Sequence, residues 1–319
     1  MSAVAAIAIF AGAFAILLKS ADFFVDGAVG VGDIFKIPKI LVGIVLVSLA
    51  TTLPELSVSV QAAYLGHPEI ALGNAVGSVM ADEGIALAMA AIIGICIPVN
   101  SHVLKNFGIF LISSAFLSYA FAFDSFIGRI EGILLVLLLA GYYYYLIKTE
   151  KSKYAQQAGK VYPSPSNPKP KRILTLFIIG AGGVIVSSRL VIWSGLWIAK
   201  ILEVPEIIIG LSMIAIGTSL PEIATAIASV LKGHGEIAIG NILGADVLNL
   251  LWIIGTAAIV NPIRVNPRTI AFAYPWMLLV VVTMVLLMRY RYQLTRKKGI
   301  LLMGLYVVYL FQITRWMSG

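Results

Sequence analysis

Residues 37–55, IPKILVGIVLVSLATTLPE, recur in altered form as VPEIIIGLSMIAIGTSLPE at residues 204–222. A second stretch, GHPEIALGNAVGS at residues 66–78, recurs as GHGEIAIGNILGA at residues 233–245. Both pairs of stretches align at the same offset of 167 residues, and the alignment contains no insertion or deletion between the first pair and the second. Identity is concentrated at Gly, Pro, Thr, Glu and Asn, whereas packing alone would require only apolar side chains. The repetition therefore predicts two related halves.

The composition of the chain is that of a protein that has the bilayer as its solvent. Of its 319 residues 60% are apolar and 12% are charged, and its mean hydropathy is +0.98, far above that of soluble domains. The net charge of +8 comes from basic residues between apolar runs, so it indicates orientation in the membrane and not nucleic-acid binding. The single cysteine, Cys96, excludes an intramolecular disulfide, and its apolar neighbours predict that the thiol packs inside the protein.

Apolar segments of about 20 residues, the length needed to cross a bilayer, occur ten times. They lie near residues 3–28, 38–65, 69–97, 105–123, 127–147, 173–199, 205–231, 236–260, 269–288 and 299–316. We therefore expect an all-α polytopic membrane protein with ten transmembrane helices. Because an odd number of spans separates the two copies, they enter the membrane in opposite directions, which gives two inverted five-helix repeats at 1–147 and 173–319.

The connection between the repeats, residues 148–172, is rich in Pro, Ser and Lys and is predicted to be a mobile linker. It contains seven basic residues and one acidic residue, so the positive-inside rule places it in the cytoplasm and both termini outside the cell. The first span lacks a basic leading region, and we expect it to be retained and not cleaved as a signal peptide. Its charged residues Lys19, Asp22 and Asp26 are interpreted as a local charge pairing, with a role in gating as the alternative.

Each copy of the first repeated segment contains a proline followed at once by a glutamate. Pro54 has no amide hydrogen to donate to the carbonyl of Ala50, and Pro221 leaves the carbonyl of Gly217 free in the same way. Breaks of this kind are tolerated at membrane depth where they line a cavity or bind an ion. The sequence therefore predicts two broken helices with exposed backbone oxygens.

The glutamates after the two breaks, Glu55 and Glu222, are the central candidate residues. Burying one such charge at a helix centre costs roughly 2.5–3.5 kcal/mol, which bound cations would offset. Helical spacing places the hydroxyl of Thr51 on the face of Glu55, and the hydroxyl of Thr218 on the face of Glu222. Oxygen ligands without His or Cys favour Ca²⁺ or Na⁺ over zinc or copper.

The spans that follow the two breaks add a second pair of polar positions. Asp82 lies four residues after Ser78, and Asn249 lies at the corresponding place in the second half, four residues after Ala245. We expect Asp82 to bind a cation or to lie beside one; carrying a proton and pointing away from the pocket remain open alternatives. The same spans carry glycines that predict close helix packing: Gly73, Gly77, Gly240 and Gly244.

These motifs resemble the sodium/calcium exchangers of the cation/calcium antiporter superfamily. GTSLPE at 217–222 with GNILG at 240–244 is similar to the second signature repeat of that family, and ATTLPE at 50–55 with GNAVGS at 73–78 to the first. The resemblance implies a secondary-active antiporter that exchanges Ca²⁺ for Na⁺ by alternating access. It also implies a set of side chains that bind Ca²⁺ and flanking Na⁺ ions, comprising Glu55, Glu222, Thr51, Thr52, Thr218, Ser219 and Ser78.

The chain departs from the family pattern at several positions. Archaeal exchangers of this type tend to have Asn in the first repeat and Asp in the second, where this chain has Asp82 and Asn249, and the number of carboxylates is therefore unchanged. Ala245 occupies the position of a family serine, which leaves the sodium stoichiometry open. Glu83 and Asp246 stand where the family usually has uncharged residues, and we expect them to face solvent at the edge of a cavity, without an assigned role.

Other functions fit the sequence less well. The nearest alternative is a Ca²⁺/H⁺ antiporter, since buried carboxyl groups can carry protons, and a cation channel is disfavoured by the duplicated inverted core. An intramembrane hydrolase that uses His67 or His234 would lack a nucleophile at a suitable spacing. We therefore expect no enzyme activity and no cofactor, only the transported Ca²⁺ and Na⁺ and the lipid bilayer as partners. The sequence does not determine the oligomeric state, and a monomer is compatible with it.

Overall fold

The computed structural model describes residues 3–35, 37–157, 170–201, 214–267 and 269–317. This part of the chain is mainly helical, because a helix satisfies its backbone amides and carbonyls internally where no water is present. The elements of the first half are α1 (Ala3–Phe35), α2 (Lys39–Leu41), α3 (Ser48–Thr51), α4 (Leu53–Tyr64), α5 (Pro68–Ala81), α6 (Ala88–Gly94), β1 (Cys96–Pro98), α7 (Ser101–Ala122), β2 (Phe126–Ile127) and α8 (Arg129–Gln157). Those of the second half are α9 (Pro170–Ile201), α10 (Ile214–Thr218), α11 (Leu220–Leu231), α12 (Gly235–Val247), α13 (Ile254–Val260), β3 (Ile263–Arg264), α14 (Tyr274–Arg289), β4 (Gln293–Thr295) and α15 (Arg296–Met317).

Turns of π-helix connect several of these helices. They comprise Val42–Val47, Asp82–Leu87, Leu248–Ile253 and Thr269–Ala273. The second of these turns begins at Asp82, and the third begins one residue before Asn249. π-helical turns are rare in proteins, and those that occur are often found at functional sites. Their presence at corresponding positions of the two halves therefore marks Asp82 and Asn249 as candidate functional residues.

Seven of the described helices are long and apolar enough to cross a membrane, or eight if the bent pair Lys39–Thr51 and Leu53–Tyr64 forms one span. The prediction of a polytopic membrane protein is thereby confirmed, whereas the full set of ten spans remains a prediction. The predicted seventh span begins in residues 205–213, which lie outside the described residues, and continues as α10 and α11.

Two helices end or begin differently from the expectation. α8 continues to Gln157, so the first ten residues of the predicted linker belong to the preceding helix. The central part of that linker, 158–169, lies outside the described residues. α9 begins at Pro170, where proline is tolerated because the first amide of a helix has no partner within it.

The helices differ strongly in how far the protein encloses them. The most apolar stretch of the span Pro68–Gly94 is 72% buried and that of its counterpart Gly235–Val260 is 83% buried, whereas the corresponding stretches of α1 and α9 are 22% and 28% buried. The two helices that follow the broken segments therefore form the centre of the molecule. α1 and α9 lie outside this centre.

α1 and α9 pack on one another along most of their length through glycines. A Cβ atom at Gly27 would collide with the backbone of Phe177, and one at Gly180 would collide with the backbone of Phe24. Without side chains at these two positions, the helix backbones come into direct contact, which is a common way to join helices in a membrane.

Short antiparallel strand pairs connect the two halves at their ends. β1 pairs with β4, with Ile97 opposite Leu294, and β2 pairs with β3, with Ile127 opposite Ile263. The expectation that Cys96 packs inside the protein is wrong. Because side chains alternate along a strand, Ile97 faces inward and the neighbouring Cys96 is exposed.

Candidate functional site

The two predicted helix breaks are present. α3 ends at Thr51, α4 begins at Leu53, and the two parts of this span are bent by 44°. Thr52 at the break has φ −80° and ψ −3°, and Ser219 at the break between α10 and α11 has φ −80° and ψ 4°. Corresponding residues of the two repeats therefore have the same backbone conformation. Ala50 and Gly217 lie in the last turns before these breaks.

Close packing of backbones brings the first broken helix against α12. A Cβ atom at Gly240 would collide with the carbonyl oxygen of Ile40, and one at Gly244 with the carbonyl oxygen of Ile44. The predicted packing role of these two glycines is confirmed. A Cβ atom at Gly73 would meet no atom within 4 Å, so close packing does not explain that glycine.

Each broken helix is joined to the other half of the protein by a hydrogen bond, and the two bonds are equivalent. Thr51 Oγ1 donates to Asn241 Oδ1 at 3.1 Å, and Thr218 Oγ1 donates to Asn74 Oδ1 at 3.2 Å. All four side chains are buried, and the two bonds are related by the same 167-residue offset. Sequence reasoning did not assign Asn74 and Asn241 to the site, although their identity across the repeat was the available signal.

The carboxylates of both halves meet between the breaks. Glu55 and Glu222 are each 1% exposed. Thr52 Oγ1 donates to Glu222 Oε1 at 3.3 Å, and Glu55 lies within electrostatic range of both Glu222 and Asp82. The structure thus brings the three predicted acidic side chains into electrostatic range, although Glu222 belongs to a different half of the sequence from Glu55 and Asp82.

The remaining candidate residues lie around these carboxylates. Ser78 Oγ is 3.4 Å from Thr218 Oγ1, and Ser219 lies beside Asp82. Asn249 is buried in the π-helical turn after α12, and its Oδ1 atom accepts no hydrogen bond from a described residue. Every predicted side-chain ligand is therefore enclosed in the same core.

Many oxygens of this core have no hydrogen-bond partner among the residues that the structure describes. They are both carboxylate oxygens of Glu55 and of Asp82, Glu222 Oε2, Ser219 Oγ and Asn249 Oδ1. Among the described residues no Lys, Arg or His is buried that could neutralise them, and an isolated buried carboxylate is very costly. Carboxylate, hydroxyl and amide oxygens are the ligands of Ca²⁺ and Na⁺, so the donor set fits these ions.

Acidic side chains alone do not complete an ion site. Within the described ranges, no three Asp, Glu, His or Cys side chains converge closely enough to hold a metal ion between them. Ca²⁺ takes six to eight oxygen ligands in flexible geometry. A Ca²⁺ ion bound here would therefore also need the hydroxyl and backbone oxygens next to the breaks.

Glu83 and Asp246 do not face solvent, and the expectation for them is wrong. Both are 0% exposed, and their carboxyl groups lie close enough to influence one another electrostatically. Glu83 is in the π-helical turn after α5 and Asp246 is in the last turn of α12, and these are the two elements at the centre of the molecule. The packing of these helices therefore buries both carboxyl groups, although charged groups are more stable in water. The result is an acidic pair next to Asp82.

The two halves differ in the hydrogen bonding of the side-chain amides of Asn74 and Asn241. Asn74 Nδ2 donates to Ser59 Oγ at 3.1 Å. The residue that corresponds to Ser59 in the second half is Ala226, which has no hydroxyl group, and the buried Asn241 Nδ2 has no hydrogen-bond partner in the described part of the chain. The orphaned amide group thus has a simple cause in the sequence of the second repeat.

Charges on α1 connect it to the rest of the protein. Lys19 lies 3.9 Å from Asp22, which confirms local charge pairing for these two residues. Asp26 instead accepts from the ammonium group of Lys232 at the end of α11, at 2.6 Å. The local interpretation of Asp26 is therefore wrong, because the sequence alone does not reveal that α11 ends beside α1.

Comparison with known proteins assigns the family. The sequence model described as sodium/calcium exchanger protein matches residues 5–148 and 172–315, which cover both repeats. The chain belongs to this family. Since sodium/calcium exchangers are transporters, the expectation that the protein is not an enzyme is confirmed, as is its place in the membrane.

Similar exchangers and membrane proteins match nearly the whole chain. The inner membrane protein YrbG of Escherichia coli is 31% identical over 309 residues, 95% of this chain and 94% of the relative. The sodium/calcium exchanger MaX1 of Methanosarcina acetivorans is 26% identical, over 92% of this chain and 94% of the relative. A structure of the sodium-calcium exchanger NCX_Mj soaked with zero Na⁺ and Ca²⁺ has a TM-score of 0.83 at 25% identity, covering 98% of this chain and 100% of that one.

Proposed function

We propose that the protein is a secondary-active antiporter that exchanges Ca²⁺ for Na⁺ across the cell membrane by alternating access. The observation that supports this most directly is the proximity of Glu55, Glu222 and Asp82 between two broken helices, where most of their buried oxygens have no partner among the described residues. Membership of the exchanger family supports the identity of the two ions. The ions are substrates, and no resident cofactor is part of the proposal.

In this proposal Glu55 and Glu222 hold Ca²⁺, and the surrounding oxygens complete its coordination and that of flanking Na⁺ ions. The proposed ligands are Glu55, Glu222, Asp82, Asn249, Ser78, Thr51, Thr52, Thr218 and Ser219, with the backbone carbonyls of Ala50 and Gly217. An empty site would leave uncompensated charge in a low dielectric. The site therefore changes from facing one side of the membrane to facing the other only when Ca²⁺ or Na⁺ is bound. This penalty couples the movement of one ion to the other.

The proposed architecture is that of ten spans in two inverted repeats, at 1–147 and 173–319, joined by a cytoplasmic linker at 148–172 with both termini outside. The threonine–asparagine hydrogen bond occurs once in each half, at corresponding residues, and this supports the proposal that the two halves are repeats of one unit. α1 and α9, which pack on one another and lie outside the buried centre, are proposed to slide against it to change access. A monomer contains all the proposed ligands.

The residues around the counter-ion differ from the family pattern at three positions. Ala245 has no hydroxyl group at the position of the family serine, which reduces the oxygen donors for Na⁺. Glu83 and Asp246 add two buried carboxyl groups, and this observation favours the alternative of Ca²⁺/H⁺ antiport. Both alternatives use the same Ca²⁺ site.

The test is a flux measurement on the purified protein in vesicles. We expect ⁴⁵Ca²⁺ uptake to follow an outward Na⁺ gradient and to stop when that gradient is collapsed. Uptake that ignores the Na⁺ gradient and changes the pH inside the vesicles would establish the proton alternative instead. Currents far above exchanger rates, without dependence on any counter-ion, would contradict both forms of antiport.

A further inference from the structure

A cleft lies on the outer surface of the helix bundle, between the beginning of α7 and the end of α14. It is a shallow groove that is open to its surroundings, and it is lined by Leu104, Lys105, Ile109, Val285, Arg289 and Tyr292. One end of this lining is apolar and the other carries two positive charges. No acidic side chain contributes to it.

The two cations of the cleft are not used by the described part of the protein. Neither Lys105 nor Arg289 makes a hydrogen bond or an ion pair with a described residue, and both are exposed. Other cations at this end of the molecule are occupied: Arg296 Nε donates to the carbonyl of Ile92, and Lys298 Nζ donates to the carbonyl of Tyr290. The cleft therefore holds positive charge that is available to a ligand.

The backbone at the mouth of the cleft is strained. Arg291 and Tyr292 have φ values of 63° and 49°, in the left-handed region that residues with a side chain avoid. A hydrogen bond of 2.9 Å from the amide of Val99 to the carbonyl of Tyr292 holds this turn, together with the pairing of β1 and β4. Such strain persists only where surrounding structure enforces it and is concentrated at functional positions. Here it places Tyr292 in the cleft wall.

We propose that this cleft binds an anionic phospholipid, with the phosphate between Lys105 and Arg289 and an acyl chain along Ile109 and Val285. Lys105 lies in the second turn of α7, which begins at Ser101, and Arg289 is the last residue of α14, so both lie near helix ends, at the level of lipid headgroups. Basic pockets between transmembrane helices on the cytoplasmic side recognise such headgroups. The apolar wall favours a lipid over a soluble phosphate, because it offers a soluble anion no additional contact.

The experiment measures lipid retained by the purified full-length protein, by native mass spectrometry after mixing with phosphatidylglycerol or with phosphatidylcholine of the same chains. We expect preferential retention of phosphatidylglycerol by the wild-type protein. Lys105→Ala and Arg289→Ala should each lower that retention about fivefold, since a basic residue near an anionic headgroup contributes about 1 kcal/mol. The charge-keeping pair Lys105→Arg with Arg289→Lys should retain the lipid.

A matched control removes two exposed cations outside the cleft, by Lys171→Ala with Arg172→Ala at the beginning of α9. Retention should then stay at the wild-type value. An equal loss in this control, or equal retention of phosphatidylcholine, would overturn the proposal, as would displacement of the lipid by inorganic phosphate at matching concentration. Lipid retention does not depend on transport, so this test can fail or succeed independently of the proposed antiport.

Discussion

Thr51 donates its hydroxyl hydrogen to the side-chain oxygen of Asn241 over 3.1 Å, across the boundary between the two halves of the chain. The bond is made by the last residue before the first helix break and by a helix at the buried centre. Its counterpart, from Thr218 to Asn74, holds the second break in the same way. Each half thus positions the broken helix, and with it the glutamate, of the other.

Thr51→Val and Thr218→Val should therefore destabilise the protein to a similar extent. Each leaves a buried asparagine oxygen without its donor, which costs about 1–3 kcal/mol. Thermal unfolding in detergent without Ca²⁺ measures both losses. Thr225→Val is the matched control, because its buried hydroxyl bonds to none of the described residues and its removal should cost less. If only one of the two variants lost stability, the two hydrogen bonds would not be equivalent.

Glu222→Gln should have opposite effects in the absence and presence of Ca²⁺. Without ions it removes one of three neighbouring buried carboxylates, and we expect a gain of about 1–3 kcal/mol in the free energy of unfolding. With Ca²⁺ at about 100 times its dissociation constant, the wild-type protein should gain about 2.7 kcal/mol and the variant nearly nothing. Melting temperatures with a chelator and with Ca²⁺ test the reversal. Unchanged stabilisation of the variant by Ca²⁺ would remove Glu222 from the site.

Glu83→Gln should stabilise the ion-free protein. The glutamine amide can donate a hydrogen bond to the carboxylate of Asp246, where two facing carboxylates would repel one another in a low dielectric. A hydrogen bond to a charged group contributes about 1.5–3 kcal/mol. Glu69→Gln is the control, since Glu69 is exposed and its loss should change stability by less than about 0.5 kcal/mol. A clear destabilisation by Glu83→Gln would mean that the pair is held by something other than mutual contact.

Ala226→Ser should supply the partner that the amide of Asn241 lacks. In the first half, Ser59 accepts this bond from Asn74, and the new hydroxyl would occupy the corresponding position. We expect a gain of about 0.5–1.5 kcal/mol, and a loss of similar size from the reciprocal change Ser59→Ala. Equilibrium melting of the two variants side by side gives the comparison. Destabilisation by both changes would indicate that the second half has no room for the hydroxyl oxygen.

His234, in the turn before α12, should make stability depend on pH. Burial and the nearby Lys39 ammonium, 3.2 Å from Nδ1, lower the pKa of His234 below its ordinary value of 6.5. As the pH falls through 6.5, the unfolded chain takes up a proton that the folded protein does not, so stability should decrease toward acid. Melting temperatures of the wild type and of His234→Gln between about pH 8 and pH 5.5 measure this contribution. Identical pH profiles would contradict it.

The fold and the centre of the candidate site were accessible from the sequence because they depend on local chemistry. A proline removes one backbone hydrogen bond wherever it stands in a helix, so Pro54 and Pro221 locate the breaks without knowledge of the surroundings. Glu55 and Glu222 are too costly to bury without a role. The repeat then relates the two positions, and the structure places their carboxyl groups within electrostatic range of one another, as expected.

What the sequence alone determined is thus the membrane setting, the repeat, the two breaks and the acidic residues beside them. Only the tertiary structure decided which side chains meet across the halves: Asn241 with Thr51, Asp246 with Glu83, and Lys232 with Asp26. These contacts depend on the crossing and rotation of whole helices, and a π-helical turn such as the one at Asp82 shifts every following side chain to another face. Local patterns carry no information about that rotation, and for this reason the burial of Glu83 and Asp246 could not be foreseen.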